Sequence, residues 1–119
     1  MIQCLRSYKK KQGISFGGVG NLYRYNHIKN LPHTCINGNG NNLVFEYNLV
    51  ENGCFEATDA GGFYAGRSWA SLGNVLRYNE FRDIKTTELT FTVPATVYAI
   101  YFDDQLAGKL SRCQNVSQL

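Results

Sequence analysis

Three aspartates, one arginine and one tryptophan are the side chains of this 119-residue chain best suited to chemistry on a ligand. Asp59 stands alone, and Asp103 is followed directly by Asp104. Two carboxyls can divide acid and base work when one stays ionised and the other is kept protonated by burial or by like charge. Glycoside hydrolysis needs such a pair, about 5 Å apart for retention and roughly 6.5–9.5 Å apart for inversion. Arg67 carries a planar fork that matches a uronate carboxylate or a sulfate bidentately. With Tyr64 or Tyr101 it suits an elimination, in which the guanidinium neutralises a carboxylate while a base takes the neighbouring proton. Trp69, the single tryptophan, can stack on a sugar ring or close a loop over an apolar surface. Each residue also has a plainer reading. An Asp pair at a strand end serves as a turn or a cation ligand, and Arg67 can pin a loop by pairing with Asp59 or Asp104.

A repeated phrase is what would bring these side chains together. Leu22-Tyr23-Arg24-Tyr25-Asn26 returns as Val44-Phe45-Glu46-Tyr47-Asn48 and as Val75-Leu76-Arg77-Tyr78-Asn79. Ile28, Val50 and Phe81 follow in matching places, then Asn30, Asn52 and Asp83. A worn fourth copy runs Leu110-Ser111-Arg112-Cys113-Gln114, with Val116 in the apolar slot. The copies start 22, 31 and 35 residues apart. Units of this size point to a solenoid, in which each buries its apolar face only by stacking on its neighbours.

Apolar and polar residues alternate within each copy, the period of a strand with one buried face. Tyr, Phe, Val and Ile enrichment agrees. The Asn closing each copy is read as the corner residue, because it tolerates the left-handed conformation. A third strand family runs through Gly13-Ile14-Ser15-Phe16, His33-Thr34-Cys35-Ile36, Gly62-Phe63-Tyr64-Ala65 and Tyr98-Ala99-Ile100-Tyr101-Phe102. Three short strands per unit leave no room for a crossover helix and describe one turn of a parallel β-helix. Stacked turns would set Asn26, Asn48 and Asn79 in an amide ladder, and Arg24, Glu46 and Arg77 in an outer column of alternating charge. The longer units carry their extra residues at 56–59, 67–72 and 85–95, and loops on a rigid scaffold are where binding concentrates. Asp59 falls in the third turn and Asp103 with Asp104 in the fourth, at opposite ends of matching strand segments. Stacking at roughly 4.8 Å would gather them into one carboxylate cluster.

Composition narrows the function. Hydrophobic content of 44% argues against disorder. A net charge of +3, much of it in Lys9-Lys10-Lys11, makes no broad basic stripe for nucleic acid. No apolar run reaches the ~18 residues of a membrane-spanning helix. Cys4, Cys35, Cys54 and Cys113 show no close pair for zinc, and Cys35 and Cys54 read as buried free thiols in apolar strands. Disulfides stay open on spacing alone, and the cysteine count leaves the compartment unknown. The chain divides into an irregular basic segment at 1–12, coil turns at 13–109 and a degenerate last turn or tail at 110–119. Four or five turns with uncapped ends read as part of a longer β-helix chain.

Asp59-Ala60-Gly61-Gly62, Tyr64-Ala65-Gly66-Arg67-Ser68-Trp69, Gly73-Asn74-Val75-Leu76-Arg77-Tyr78-Asn79 and Ala99-Ile100-Tyr101-Phe102-Asp103-Asp104 with Gly108 resemble segments of right-handed parallel β-helix proteins. These are the carbohydrate-active pectate-lyase-like and glycoside-hydrolase-like group. The resemblance spans residues 14–108; beyond it Cys113 and Gln114 replace the expected Tyr and Asn. It implies an all-β, right-handed single-stranded coil from a secreted parent, although the start of this chain lacks a signal-peptide pattern. It implies a poly- or oligosaccharide along the outer face, with Asp59, Asp103 and Asp104 catalytic. Arg67, Trp69, Tyr64 and Tyr101 would bind substrate. No cofactor is required, and Ca²⁺ on the Asp pair is left open. The alternatives are a non-catalytic glycan- or protein-binding segment and an inactive fragment.

Overall fold

The computed structural model describes residues 12–87 and 96–104 with side chains, and the backbone of 2–3, 111–112 and 115–117. Among the described residues there is no helix. The first strand, β1 (Ile2–Gln3), is followed by β2 (Ile14–Phe16), β3 (Leu22–Arg24) and β4 (His27–Leu31). The next lap gives β5 (Ile36–Gly38), β6 (Val44–Glu46) and β7 (Leu49–Gly53), and the next β8 (Ala60–Ala65), β9 (Val75–Arg77) and β10 (Glu80–Ile84). The last is β11 (Val97–Phe102), β12 (Ser111–Arg112) and β13 (Asn115–Ser117). Every third strand pairs in parallel, giving sheets β1-β4-β7-β10-β13, β11-β8-β5-β2 and β12-β9-β6-β3. The chain visits the three sheets in rotation, which fits a parallel β-solenoid.

The register is the one the repeats dictate. Leu22 lies beside Val44 and Val44 beside Val75; Ile28 lies beside Val50 and Val50 beside Phe81. The worn copy keeps step, with Ser111 beside Leu76 and Val116 beside Phe81. Ile2 and Gln3, inside the segment read as irregular, pair with Ile28 and Lys29. Residues 4–11 and most of the 85–95 insertion lie outside the described residues. The strand expected at 33–36 starts instead at Ile36. Residues 33–35 make a corner there, and the Cys35 carbonyl takes the N–H groups of both Gly13 and Ile14 at 2.9 Å.

Two columns carry the coil. Inside, the Asn26 backbone N–H and Nδ2 both donate to Asn48 Oδ1, at 3.1 and 3.0 Å. Asn48 repeats this on Asn79 Oδ1 at 3.1 and 2.9 Å. The Nδ2 groups of Asn48 and Asn79 also reach the Tyr23 and Phe45 carbonyls. Outside, Glu46 is held by Arg77 at 2.7 Å and Arg24 at 3.9 Å, and the two arginines bury it.

One expectation is corrected. The left-handed corner residue is the tyrosine, not the asparagine after it: φ is 57° at Tyr25, 53° at Tyr47 and 54° at Tyr78. Those tyrosines do not face the core; they stand exposed and stack at 5.5 and 5.2 Å. The strained φ at a bulky residue costs about 1–3 kcal/mol. Two aromatic stacks return roughly 0.5–1.5 kcal/mol each. The turn also aims the next asparagine inward, where its amide satisfies backbone groups. Asn30, Asn52 and Asp83 form a second left-handed column, with Asn52 Nδ2 donating to Asn30 at 2.8 Å.

The core is an aromatic and aliphatic stack. Phe16, Phe45 and Phe63 meet with ring centroids 4.9–5.3 Å apart, above buried Ile28, Val50 and Phe81. Cys35 and Cys54 are buried and free, as read from the sequence. A hydrogen bond with the Cys54 thiol, then burial, pushes the Cys35 pKa up, so it stays a thiol. Gly53 completes that corner, since a Cβ there would collide with Cys35 Sγ.

Asn48→Ala should expose the ladder's worth. It removes the acceptor of the Asn26 N–H and Nδ2 and the Nδ2 donor to the Tyr23 carbonyl, while Asn79 Oδ1 keeps the backbone N–H of residue 48. Each stranded group costs about 1–3 kcal/mol. Urea denaturation is expected to show a loss of about 3 kcal/mol, and a loss below about 1 kcal/mol contradicts the ladder's role.

Candidate functional site

β8 and β11 pair with Phe63 beside Ile100 and Tyr64 beside Tyr101. Strict alternation fails here because Gly62 and Phe63 are both buried. A Cβ on Gly62 would meet the Ala99 carbonyl oxygen at 2.8 Å and the Phe81 ring at 3.0 Å, on the core side. A Cβ on Gly61 would come within 2.9 Å of Tyr101 Cβ, on the outer side. Glycine at 61 therefore leaves room for the tyrosine, which reaches back along β8.

The result is an interlocked pair of tyrosine–aspartate contacts. Tyr101 donates to Asp59 Oδ1 at 2.8 Å, and Tyr64 donates to Asp103 Oδ2 at 2.5 Å. The two rings meet edge to face at 5.3 Å, and Tyr98 meets Tyr101 at 5.1 Å. The structure thus joins four of the seven sequence candidates: Asp59, Asp103, Tyr64 and Tyr101. Asp104 contributes backbone: its N–H donates to Asp103 Oδ1 at 2.7 Å and its carbonyl accepts the Arg67 N–H at 2.6 Å. Arg67 is exposed with φ of 53°. Its tie to the fourth lap is this main-chain bond, while its charge acts on Tyr64 and Asp103 from a distance. Trp69 stands apart on the same loop, 74% exposed, so it presents its ring to solvent instead of closing the loop.

That loop is pinned by residues the sequence reading passed over. Asn39 Nδ2 donates to the Gly66 carbonyl at 2.9 Å, and Ser71 Oγ and Asn74 Nδ2 donate to the Gly40 carbonyl at 2.9 and 2.7 Å. The Leu72 N–H donates to Asn41 Oδ1 at 2.7 Å. The asparagine-rich run at 37–42, facing an insertion one lap on, was the available signal.

Electrostatics define what the cluster can do. The Tyr64 hydroxyl, then the Asp104 N–H, hold the Asp103 carboxyl below its usual range, so it is ionised at neutral pH. The phenols move the other way, both to about 12. Burial, then Asp103, raises Tyr64; the hydrogen bond to Asp59, then burial, raises Tyr101. Both tyrosines are therefore firm donors and poor bases. Among the described residues no three His, Cys, Asp or Glu side chains converge on a metal position.

Comparison with protein-family models, with curated protein sequences and with solved structures gave no match. The parallel three-sheet architecture and the site chemistry therefore stand on this chain's own residues.

The phenol shifts give a pH signature. A phenol with a higher pKa folded than unfolded keeps its full stabilising contribution below about pH 10 and loses it as pH climbs toward 12. Asp103, shifted down, contributes above about pH 4 and loses that contribution as pH falls. Phenolate absorbance should show a late-titrating component near pH 12 that Tyr64→Phe with Tyr101→Phe removes. A wild-type titration lacking it contradicts the interlock.

Proposed function

We propose that this chain is part of a right-handed parallel β-helix of four to five turns that binds an oligo- or polysaccharide on the outer face of β8 and β11 without cleaving it. The handedness follows from the rule that crossovers between parallel strands are right-handed in about 98% of cases. The observation that carries the binding reading is the Tyr101–Asp59 and Tyr64–Asp103 interlock. Carboxylates fixed by phenol donors keep free lone pairs for sugar hydroxyls, and the exposed ring of Tyr98 offers an apolar face for a pyranose.

The same geometry weighs against hydrolysis and elimination. A hydrolase needs one carboxyl kept protonated, and Tyr64 works in the opposite direction on Asp103. A lyase needs a base, and phenols at about 12 do not serve as one. Two carboxylates, Asp59 and Asp103, sit at the tyrosine pair while the Arg67 guanidinium acts only from a distance, so neutral or amino sugars suit the site better than uronates unless Ca²⁺ bridges the acids.

Titration of neutral, amino and uronate oligosaccharides, with and without calcium, tests this, alongside an assay for new reducing ends. Neutral or amino sugars should bind with no turnover, and Asp59→Asn or Tyr101→Phe should weaken binding about tenfold, a 1.4 kcal/mol change. Tyr25→Ala, on another corner, should leave binding unchanged. Cleavage abolished by a folded Asp103→Asn variant would return the site to the enzyme reading. Binding indifferent to every site variant would remove the site altogether.

A further inference from the structure

We propose that Cys35 and Cys54 form a disulfide that closes one lap of the coil into a covalent ring. The two residues stand at the same corner of successive laps. Between them the chain runs through β5, β6 and β7 and comes back to the corner it left.

Main-chain bonding fixes how close they come. Where β7 lies on β4, an N–H goes to the carbonyl one place before its partner: Leu49, opposite His27, donates to Asn26. The Cys54 N–H goes to the His33 carbonyl at 3.3 Å, so position 54 lies against position 34 and beside Cys35. Stacked laps are about 4.8 Å apart, and a disulfide bridges Cα atoms separated by roughly 4.4–6.8 Å.

The side chains complete the fit. Cys54 has a left-handed φ of 61°, the bend by which the chain leaves β7, and both cysteines are fully buried. Cys35 Sγ approaches the same His33 carbonyl at 3.9 Å, and the two thiols hydrogen-bond to each other. Gly53, which precedes Cys54, carries no Cβ to obstruct the Cys35 sulfur. Oxidation strands no polar group, because the His33 carbonyl keeps the Cys54 N–H and a disulfide has no proton to place.

The bond forms by exchange with a small-molecule disulfide such as oxidised glutathione. One cysteine thiolate attacks a sulfur of that disulfide, releases one small thiol and is left in a mixed disulfide. The second thiolate attacks the protein-bound sulfur, makes the Cys35–Cys54 bond and releases the second small thiol. Two protein thiols are oxidised, one small disulfide is reduced, and the two protons end on the released thiols. Once the interior has closed, burial and mutual hydrogen bonding keep the pair protonated and out of reach. Exchange therefore belongs to the folding chain. The ring then restricts the unfolded chain, and it staples the second lap to the third in a coil whose laps depend on their neighbours.

The test refolds the full chain in reduced and oxidised glutathione, blocks remaining thiols by alkylation and digests without reduction. Cleavage after Glu46 and Glu51 separates the two cysteines. Mass spectrometry should find the peptide ending at Glu46 joined to the one beginning at Asn52, lighter by two hydrogens than the separate pair. The oxidised chain should unfold at a urea midpoint about 1 M above that of the dithiothreitol-reduced chain. Cys4 and Cys113 lie outside the described residues, so a Cys4→Ser, Cys113→Ser chain, which keeps only the buried pair, repeats both measurements. Cys35 and Cys54 recovered as alkylated thiols, or joined chiefly to Cys4 or Cys113, overturns the proposal. So does an oxidised chain whose midpoint is equal to or below that of the reduced one.

Discussion

The Asn26–Asn48–Asn79 amide column is the interaction on which the rest of the structure depends. Each side chain closes hydrogen bonds to the amide and main chain of the neighbouring lap, at the place where the backbone leaves one sheet for the next. A corner of this kind exposes main-chain groups to a dry interior, and an unsatisfied one costs about 1–3 kcal/mol. Satisfying them with a residue from the adjacent lap fixes the vertical register. A slip by one residue would turn every side chain to the opposite face. Once the register is set, Phe45 over Phe16, the buried Glu46 and the tyrosine stack all follow.

Much of this was legible because parallel in-register stacking makes sequence repetition and spatial neighbourhood the same thing. Val44-Phe45-Glu46-Tyr47-Asn48 resembles its relatives because it lies against them. The column of Arg24, Glu46 and Arg77 could be read for the same reason. What escaped was conformation within the copy. Period-two alternation put the tyrosines on the buried face, yet a left-handed φ at Tyr25, Tyr47 and Tyr78 breaks the alternation one residue early. Composition alone favours asparagine for that φ; ring stacking offsets part of the cost, and the inward amide of the following asparagine adds its hydrogen bonds.

The candidate site shows the same divide. Placing Asp59 in one lap and Asp103 in the next needed only repeat arithmetic. That Tyr101 reaches Asp59 while Tyr64 reaches Asp103 depends on two consecutive inward residues, Gly62 and Phe63, and on an empty Cβ position at Gly61. Neither leaves a periodic trace. What the geometry settles is the hydrogen bonding: Tyr101 donates to Asp59 and Tyr64 to Asp103, with the Asp103 carboxyl held in its charged form and both phenols neutral.

The unequal laps have an energetic meaning of their own. Equivalent residues are separated by 22 positions between the first two copies and by 35 between the last two. Loop-closure entropy grows only with the logarithm of length, so the longer lap is disfavoured by about 0.4 kcal/mol relative to the shorter. That is less than one interlap hydrogen bond returns. A coil built this way can therefore acquire long excursions on its outer surface at almost no thermodynamic penalty, and new recognition surfaces can diversify there while the interior stays fixed.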